Sequence, residues 1–77
     1  MKSKIFERIR ELLVDKYYVP YDDVKIDTVY EHLDIDSLTL LEIFVILDKE
    51  YKLTSSNSNI SDEITIGQSI DNLLAGN

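Results

Sequence analysis

Apolar side chains recur along most of the chain at the three- and four-residue steps of an α-helix. In the first segment they alternate with charged residues, which predicts an amphipathic helix from Lys2 to about Lys16, with Ser3 able to cap its start. Pro20 ends this pattern, because it cannot continue a helix and disfavours helical geometry at Val19. The apolar positions of this helix are Ile5, Phe6, Ile9, Leu12, Leu13 and Tyr17.

An acidic stretch from Tyr21 to Ile35 follows and carries only isolated apolar residues. Connections of this length are usually functional or disordered. We expect an ordered connection, because its apolar residues can anchor it across a helical bundle. These anchors are Val24, Ile26, Val29 and Leu33.

The longest apolar run extends from Leu38 to Leu47. Asp36 can accept hydrogen bonds from the free backbone N–H groups of a first turn, so a second helix should begin there. The polar segment 52–61 predicts that it ends near Tyr51. Helical spacing predicts one buried face, formed by Leu38, Leu41, Phe44 with Val45, Leu47 and Tyr51.

This helix has more apolar surface than one buried face needs. Leu40, Ile43 and Ile46 fall on its flanks. The excess fits the most buried helix of a small bundle, and it also fits a helix that lines a cavity for an apolar guest. The two interpretations are compatible.

The last part of the chain predicts two further helical segments. Residues 54–59 are polar, and we interpret them as a mobile surface connection. Ile60 to Ile64 can form a short helix capped by Ser61, and Thr65 can cap a last helix that ends at Gly76. Its apolar face is Ile66, Ile70, Leu73 and Leu74.

These elements predict an all-α fold for a single domain, residues 1–77. It is a small four-helix bundle with three main helices and one short helix, and no segment shows convincing strand alternation. A chain of 77 residues supports one hydrophobic core.

The charge is uneven. Residues 1–16 hold five basic and three acidic groups, whereas residues 17–77 hold three basic and twelve acidic ones, for a net charge of −7. An acidic surface of this kind repels phosphate backbones, so nucleic acid is disfavoured as a partner. Proteins with basic surfaces are favoured as partners instead. With no cysteine, no apolar leader and no membrane-spanning run, we expect a soluble, cytoplasmic monomer.

The residues offer little for catalysis or metal binding. A hydrolase would need Ser37, His32 and an aspartate as nucleophile, base and orienter, but the adjacent Asp36 faces a different direction on a helix. A calcium loop would need a ligand where Leu38 stands. We therefore expect neither a catalytic residue nor a metal site.

The pattern as a whole resembles the acyl carrier protein family. The resemblance lies in the segment from Leu33 to Leu38, the apolar helix with Glu42 and Asp48 that follows, and the capped helix opening with Thr65-Ile66-Gly67. It covers nearly the whole chain. The Asp-Ser-Leu triplet alone is a weak motif, and its position at the entrance of the second helix of an acidic helical chain makes it more specific.

The resemblance implies that Ser37 carries 4'-phosphopantetheine, transferred from coenzyme A by a separate phosphopantetheinyl transferase. The carrier itself would catalyse nothing. In relatives the residue matching Asp36 helps to present the serine and position the metal of the transfer reaction, and Leu38 would contact the transferase. The arm ends in a thiol, so a chain without cysteine could hold acyl groups as thioesters.

The same resemblance implies two further sets of residues. Acyl-loading, condensing and modifying enzymes would dock basic patches on the second helix, at Thr39, Glu42, Val45 and Asp48. The interior would shelter short or medium acyl chains in a pocket bounded by Leu41, Phe44, Leu47, Ile64 and Leu73.

Three positions depart from the family pattern. Asp34 stands where many relatives have glycine, while Thr39 and Lys49 stand where acidic residues are common. The recognition face is thus less acidic than in housekeeping fatty acid synthesis. Fatty acid and polyketide pathways both stay open, as do a peptidyl or aminoacyl carrier of a nonribosomal pathway and an unmodified small acidic adaptor.

Overall fold

Three α-helices dominate the computed structural model of the chain, which describes residues 2–51 and 61–75. Two short 3₁₀ helices lie between the first and second α-helices, and no strand occurs within the described ranges. The all-α fold class is therefore confirmed. The helices are α1 (Lys2–Tyr17), a 3₁₀ helix at Tyr21–Asp23, a second 3₁₀ helix at Tyr30–Leu33, α2 (Ser37–Tyr51) and α3 (Ile66–Ala75).

The core lies where α1 packs against α3 and α2. Burial of these apolar side chains is the main favourable term that holds the helices together. Exposed ion pairs lie at the rim of these contacts, where Lys2 binds Asp71 and Arg8 binds Glu50. The buried apolar residues are Ile5, Ile9, Leu12, Leu13, Val19, Val24, Tyr30, Ile35, Leu40, Ile43, Phe44, Leu47, Ile66, Ile70 and Leu73.

A tight turn ends α1. Tyr18 adopts a left-handed conformation with φ of 58°, and the Val19 N–H donates a 3.0 Å hydrogen bond to the Leu13 carbonyl. A left-handed residue directly after the last turn is common at helix ends, although glycine is the usual residue there. The predicted break at Pro20 therefore lies just beyond the end of the helix. The start differs from the predicted cap, because α1 already includes Lys2 and so places Ser3 inside its first turn.

Arg10 ties the connection to α1. Its guanidinium lies 4.6 Å from the centre of the Phe6 ring and 4.4 Å from that of Tyr21, and it donates hydrogen bonds to the Tyr21 hydroxyl and the Val24 carbonyl. In the amphipathic pattern of α1, Arg10 is one of the charged residues expected on the solvated face of the helix. The structure corrects this assignment, because the guanidinium bonds to loop groups and stacks on two rings.

The connection between α1 and α2 is anchored largely as expected. Val24 is fully buried, and Val29 and Leu33 are half-buried. The predicted anchor Ile26 is only partly buried, since the residue is 42% exposed while its Cγ2 lies against Gly67. Its carbonyl anchors the chain instead, by accepting a 2.8 Å hydrogen bond from the Gly67 N–H.

A ladder of backbone hydrogen bonds joins this connection to the start of α3. Val29 and Thr65 form an isolated antiparallel bridge. Around it, the Ile66 N–H donates to the Thr28 carbonyl at 2.9 Å and the Glu31 N–H to the Asp62 carbonyl at 2.8 Å. We call this set of contacts the latch. The latch holds the connection against the start of α3. It thereby also positions the residues that lead into α2.

The short helix expected at 60–64 is not present in the described part. Residues 62–64 form a turn and a bend, and the Glu63 N–H donates to the Ser61 hydroxyl. The carbonyls of Asp62 and Ile64 accept hydrogen bonds from the N–H groups of Glu31 and Tyr30. These carbonyls bond to the connection and not within a helix, so the segment forms a turn. The predictions for residues 52–60 and for Gly76 lie outside the described residues.

The buried face of α2 differs from the predicted one. Leu40, Ile43, Phe44 and Leu47 are buried, whereas Leu38 and Leu41 are 72% and 39% exposed. Val45 is exposed as well, so the prediction was wrong at Leu38, Leu41 and Val45. Two overlapping sets of apolar residues follow helical spacing in this sequence, and contact with α1 and α3 selects the set that contains Leu40 and Ile43.

Within the described ranges, no helix has both the length and the apolar character needed to cross a membrane.

Candidate functional site

The entrance of α2 is capped by Asp36. The Thr39 N–H donates a 2.9 Å hydrogen bond to Asp36 Oδ1, which confirms the predicted cap. This bond, together with an interaction with the Thr39 hydroxyl, holds the pKa of the Asp36 carboxyl below its usual value. A carboxylate at this place is also favoured by the helix dipole.

The residues before the cap hold it in place. Asp34 is left-handed, with φ of 59°, and it ends the second 3₁₀ helix. The buried Ile35 follows, and its N–H donates to the Tyr30 carbonyl at 3.2 Å. An aspartate suits this left-handed position, because it tolerates the conformation better than most residues other than glycine.

Ser37 is the first residue of α2, and its side chain is exposed. A hydroxyl at this place is open to a modifying enzyme. Backbone N–H groups and the dipole at a helix start favour a negative phosphodiester. These residues therefore fit a phosphate-linked arm on the serine oxygen.

The exposed side of α2 presents an apolar stripe, formed by Leu38, Leu41 and Val45. Their spacing of three and four residues places them on one side of the helix. The sequence prediction assigned Leu41 to the interior and so missed its place here. An exposed apolar stripe of this kind is typical of a protein contact surface.

Glu42 lies beside this stripe, and α1 holds its carboxylate. The Tyr17 hydroxyl donates a 2.9 Å hydrogen bond to Glu42 Oε2. Burial, together with this bond, raises the pKa of the Tyr17 hydroxyl. Tyr17 was predicted only as an apolar residue of α1, and no sequence pattern linked it to Glu42. Of the other predicted docking residues, Thr39 and Asp48 are half-buried and Val45 is exposed.

The residues predicted to bound an acyl pocket divide into three groups. Phe44, Leu47 and Leu73 belong to the core. Ile64 is half-buried at the latch, and its carbonyl accepts a bond from the Tyr30 N–H. Leu41 lies on the exposed stripe, outside the core that contains Phe44, Leu47 and Leu73.

Sequence reasoning missed a polar pair inside the core. The Tyr30 hydroxyl lies 2.7 Å from Ser69 Oγ, and both residues are buried. Ser69 Oγ in turn donates to the Ile66 carbonyl at 2.6 Å, so the tyrosine hydroxyl is the donor to the serine. Burial raises the pKa of Tyr30 far above its usual value. This pair joins the connection to α3.

His32 and Asp34 lie near the α2 entrance, and both are exposed. They line an open groove together with Thr39. Within residues 2–51 and 61–75, no three histidine, cysteine, aspartate or glutamate residues come together as a metal site would require.

Comparison with known families decides the family of this site. The family model of the phosphopantetheine attachment site matches residues 7–73. The chain belongs to this family. Its cofactor is therefore phosphopantetheine, and its members are carriers, not catalysts. The match includes α2 and its entrance.

Known relatives of the family agree with this assignment. The acyl carrier protein of Petrotoga mobilis is 29% identical over 75 residues, covering 96% of this chain and 87% of its own length. That of Campylobacter hominis is 31% identical over 64 residues, covering 82% and 81%. That of Tropheryma whipplei is 24% identical over 75 residues, covering 96% and 92%. No solved structure gives a significant match.

Proposed function

We propose that the chain is a stand-alone acyl carrier protein, with the arm attached to Ser37. It would hold acyl intermediates as thioesters and shuttle them between enzymes of fatty acid, polyketide or related biosynthesis. The observation that carries the proposal is the exposed Ser37 at the first position of α2, directly after the capping Asp36.

The attachment step needs only the serine of this chain. The Ser37 oxygen forms a bond to the pantetheine-bearing phosphorus of coenzyme A, and the bond from that phosphorus to adenosine bisphosphate breaks. A base of the transferase takes the serine proton. Asp36 holds the helix entrance in place, and the exposed Leu38 gives the transferase an apolar contact.

Partner enzymes would dock on the exposed side of α2. Glu42 offers a carboxylate to a basic patch, and Tyr17 restricts its direction. Val45 adds apolar contact, with Thr39 and Asp48 at the edges. Binding through exposed charges speeds encounter and weakens with added salt, so a salt-independent affinity would contradict docking on this acidic face.

The acyl chain would enter the core beside Phe44, Leu47 and Leu73, with Ile64 at its edge. Each buried CH₂ contributes about 0.8 kcal/mol. An octanoyl group on the arm should therefore raise the melting temperature above that of the unacylated holo-protein.

An aminoacyl or peptidyl carrier is the second candidate. It is favoured by the exposed Lys49 on α2, because a recognition face with fewer acids departs from that of fatty acid carriers. Incubation of the holo-protein with an acyl-loading enzyme and with an adenylation enzyme separates the two, since each transfers a different class of cargo to the thiol.

The test of attachment is the intact mass before and after incubation with coenzyme A, magnesium and a broad-specificity phosphopantetheinyl transferase. We expect the wild type to gain one phosphopantetheine and Ser37→Ala to gain none. Ser3→Ala serves as the matched control, because it removes another exposed serine. No gain by folded wild type, with a known carrier modified in parallel, would favour the unmodified adaptor.

A further inference from the structure

A groove of about 400 Å³ lies beside the entrance of α2. We call it the corner groove, because it lies where the turn after α1 meets the residues that lead into α2. Its volume falls in the range of roughly 300–1,000 Å³ that is usual for small-molecule sites. Six of its lining residues are Tyr18, Pro20, His32, Asp34, Ile35 and Thr39.

Both left-handed residues of the described part line this groove. Tyr18 has φ of 58° and Asp34 has φ of 59°, and neither is glycine. Aspartate adopts this conformation readily, but a bulky tyrosine does not. Both residues end a helix, where a left-handed residue is common, so only the choice of tyrosine in place of glycine at position 18 is strained. Strained backbone is found preferentially at functional sites.

The side chain of Tyr18 adds a second observation. It is 87% exposed, so core packing does not account for the strained position of this aromatic residue. A ring held at the mouth of a groove can cover an apolar part of a bound molecule. The groove therefore has an exposed aromatic ring on one side.

The groove lies within reach of an arm on the attachment serine. Ser37 does not line the groove itself, because side chains two residues apart on a helix do not face each other. Ile35 and Thr39, two residues before and after Ser37, do line it, and a long flexible arm can span this short separation. A group tethered to Ser37 would have a high effective concentration at the groove, so even weak contacts would be occupied.

The chemistry of the lining fits a neutral polar chain. Pantetheine carries two methyl groups, a hydroxyl and two amides. Pro20 and the Tyr18 ring offer apolar surface to the methyl groups, while Asp23 and Asp34 can accept hydrogen bonds from amide N–H groups. Carboxylates here disfavour an anionic occupant.

We propose that the corner groove holds the pantetheine arm of the holo-protein when no partner enzyme is bound. This inference rests on the proposed attachment at Ser37. The arm then lies across Thr39 toward Tyr18, away from the exposed apolar stripe on α2, and partner binding draws it out.

The experiment compares amide NMR spectra of isotope-labelled apo- and holo-protein. We expect shift changes at residues 17–23 and 32–35 and contacts between the pantetheine methyl protons and the Tyr18 ring. Changes confined to residues within one turn of Ser37, or located along Leu41 and Val45, would overturn the proposal. If the wild-type protein gains no mass in the attachment experiment, the proposed function is contradicted, and this inference is contradicted with it.

Tyr18→Gly sharpens the test. Glycine accepts the left-handed backbone, so the variant should fold as well as wild type while lacking the ring. We expect full modification by mass and shift changes at residues 32–35 several-fold smaller than in wild type. Tyr18→Phe is the matched control, because it keeps the ring at the same position and should leave those changes intact. Equal changes in Tyr18→Gly and wild type would contradict the proposed contact.

Discussion

The entrances of α2 and α3 are built alike and used differently. Asp36 caps α2 through the Thr39 N–H, and Thr65 caps α3 through the Gln68 N–H. The second residue of each helix occupies the same position relative to the cap. It is Leu38 in α2 and Gly67 in α3. Leu38 is exposed, whereas Gly67 is buried against Ile26.

The difference lies in what covers each first turn. At α3, the Ile66 and Gly67 N–H groups donate to carbonyls of the connection, and the Gln68 side chain accepts a bond from the Thr65 N–H. At α2, Asp36 is the capping side chain, and Ser37 and Leu38 face outward. The same local chemistry therefore fixes the start of α3 in the fold and leaves the start of α2 exposed.

The largest expected effect is that of Gly67→Ala. The new Cβ would lie 2.8 Å from Ile26 Cγ2 and 3.0 Å from the Ile26 carbonyl oxygen. Overpacking costs about 1–3 kcal/mol and alanine recovers up to about 1 kcal/mol of helix propensity, so we expect a net loss of about 1–2 kcal/mol. Urea denaturation measures it. Leu38→Ala, at the equivalent position of α2, should change stability by less than about 0.5 kcal/mol. Equal losses would mean that the two entrances are equally packed.

Thr65→Ala should have the next largest effect. It removes the acceptor of the Gln68 N–H and should lower the free energy of unfolding by about 1 kcal/mol. Thr65→Ser keeps the acceptor and is the matched control. If both variants lose the same amount in urea denaturation, the methyl group and not the cap stabilises this entrance.

Tyr30→Phe tests the buried pair that fixes α3 to the connection. Ser69 loses a donor but keeps its bond to the Ile66 carbonyl, so we expect a loss of about 1 kcal/mol. Because folding raises the pKa of Tyr30, its stabilisation is present below the unfolded value of about 10 and is lost as the pH rises above it. Wild-type stability, followed by circular dichroism, should therefore fall more steeply than that of the variant at alkaline pH. Parallel curves would contradict this assignment.

Asp36→Asn should give the smallest effect. Asparagine caps equally well but carries no charge. Folding lowers the pKa of Asp36, so its stabilisation is present above the unfolded value of about 4 and is lost as the pH falls through the folded value. The variant should be slightly less stable near neutrality, and the difference should vanish in acid. A difference that persists in strong acid would show that the amide weakens the cap itself.

The two caps could be predicted from sequence because their interactions are local. An acceptor side chain three residues before the N–H that it bonds is visible in Asp36 and Thr65 without any knowledge of the fold. The same holds for the position of Ser37 at the start of α2. The candidate attachment serine thus follows from short-range patterns and from the family resemblance.

The contacts that the sequence did not reveal are between distant residues. Tyr30 meets Ser69, and Tyr17 meets Glu42, across separations for which no periodicity exists. The buried face of α2 was mispredicted for a related reason. When a helix is apolar on most sides, its neighbours in the fold decide which residues are buried, and Leu41 was therefore placed inside.

The latch has a consequence for the order of folding. It joins the connection to the start of α3 and so closes a chain loop that contains all of α2. Helices form from local contacts, whereas closing such a loop costs chain entropy before the new bonds compensate for it. We expect the latch to close late and the approach to Ser37 to become ordered with it. A transferase that recognises the ordered entrance would then modify folded chains in preference to newly made ones.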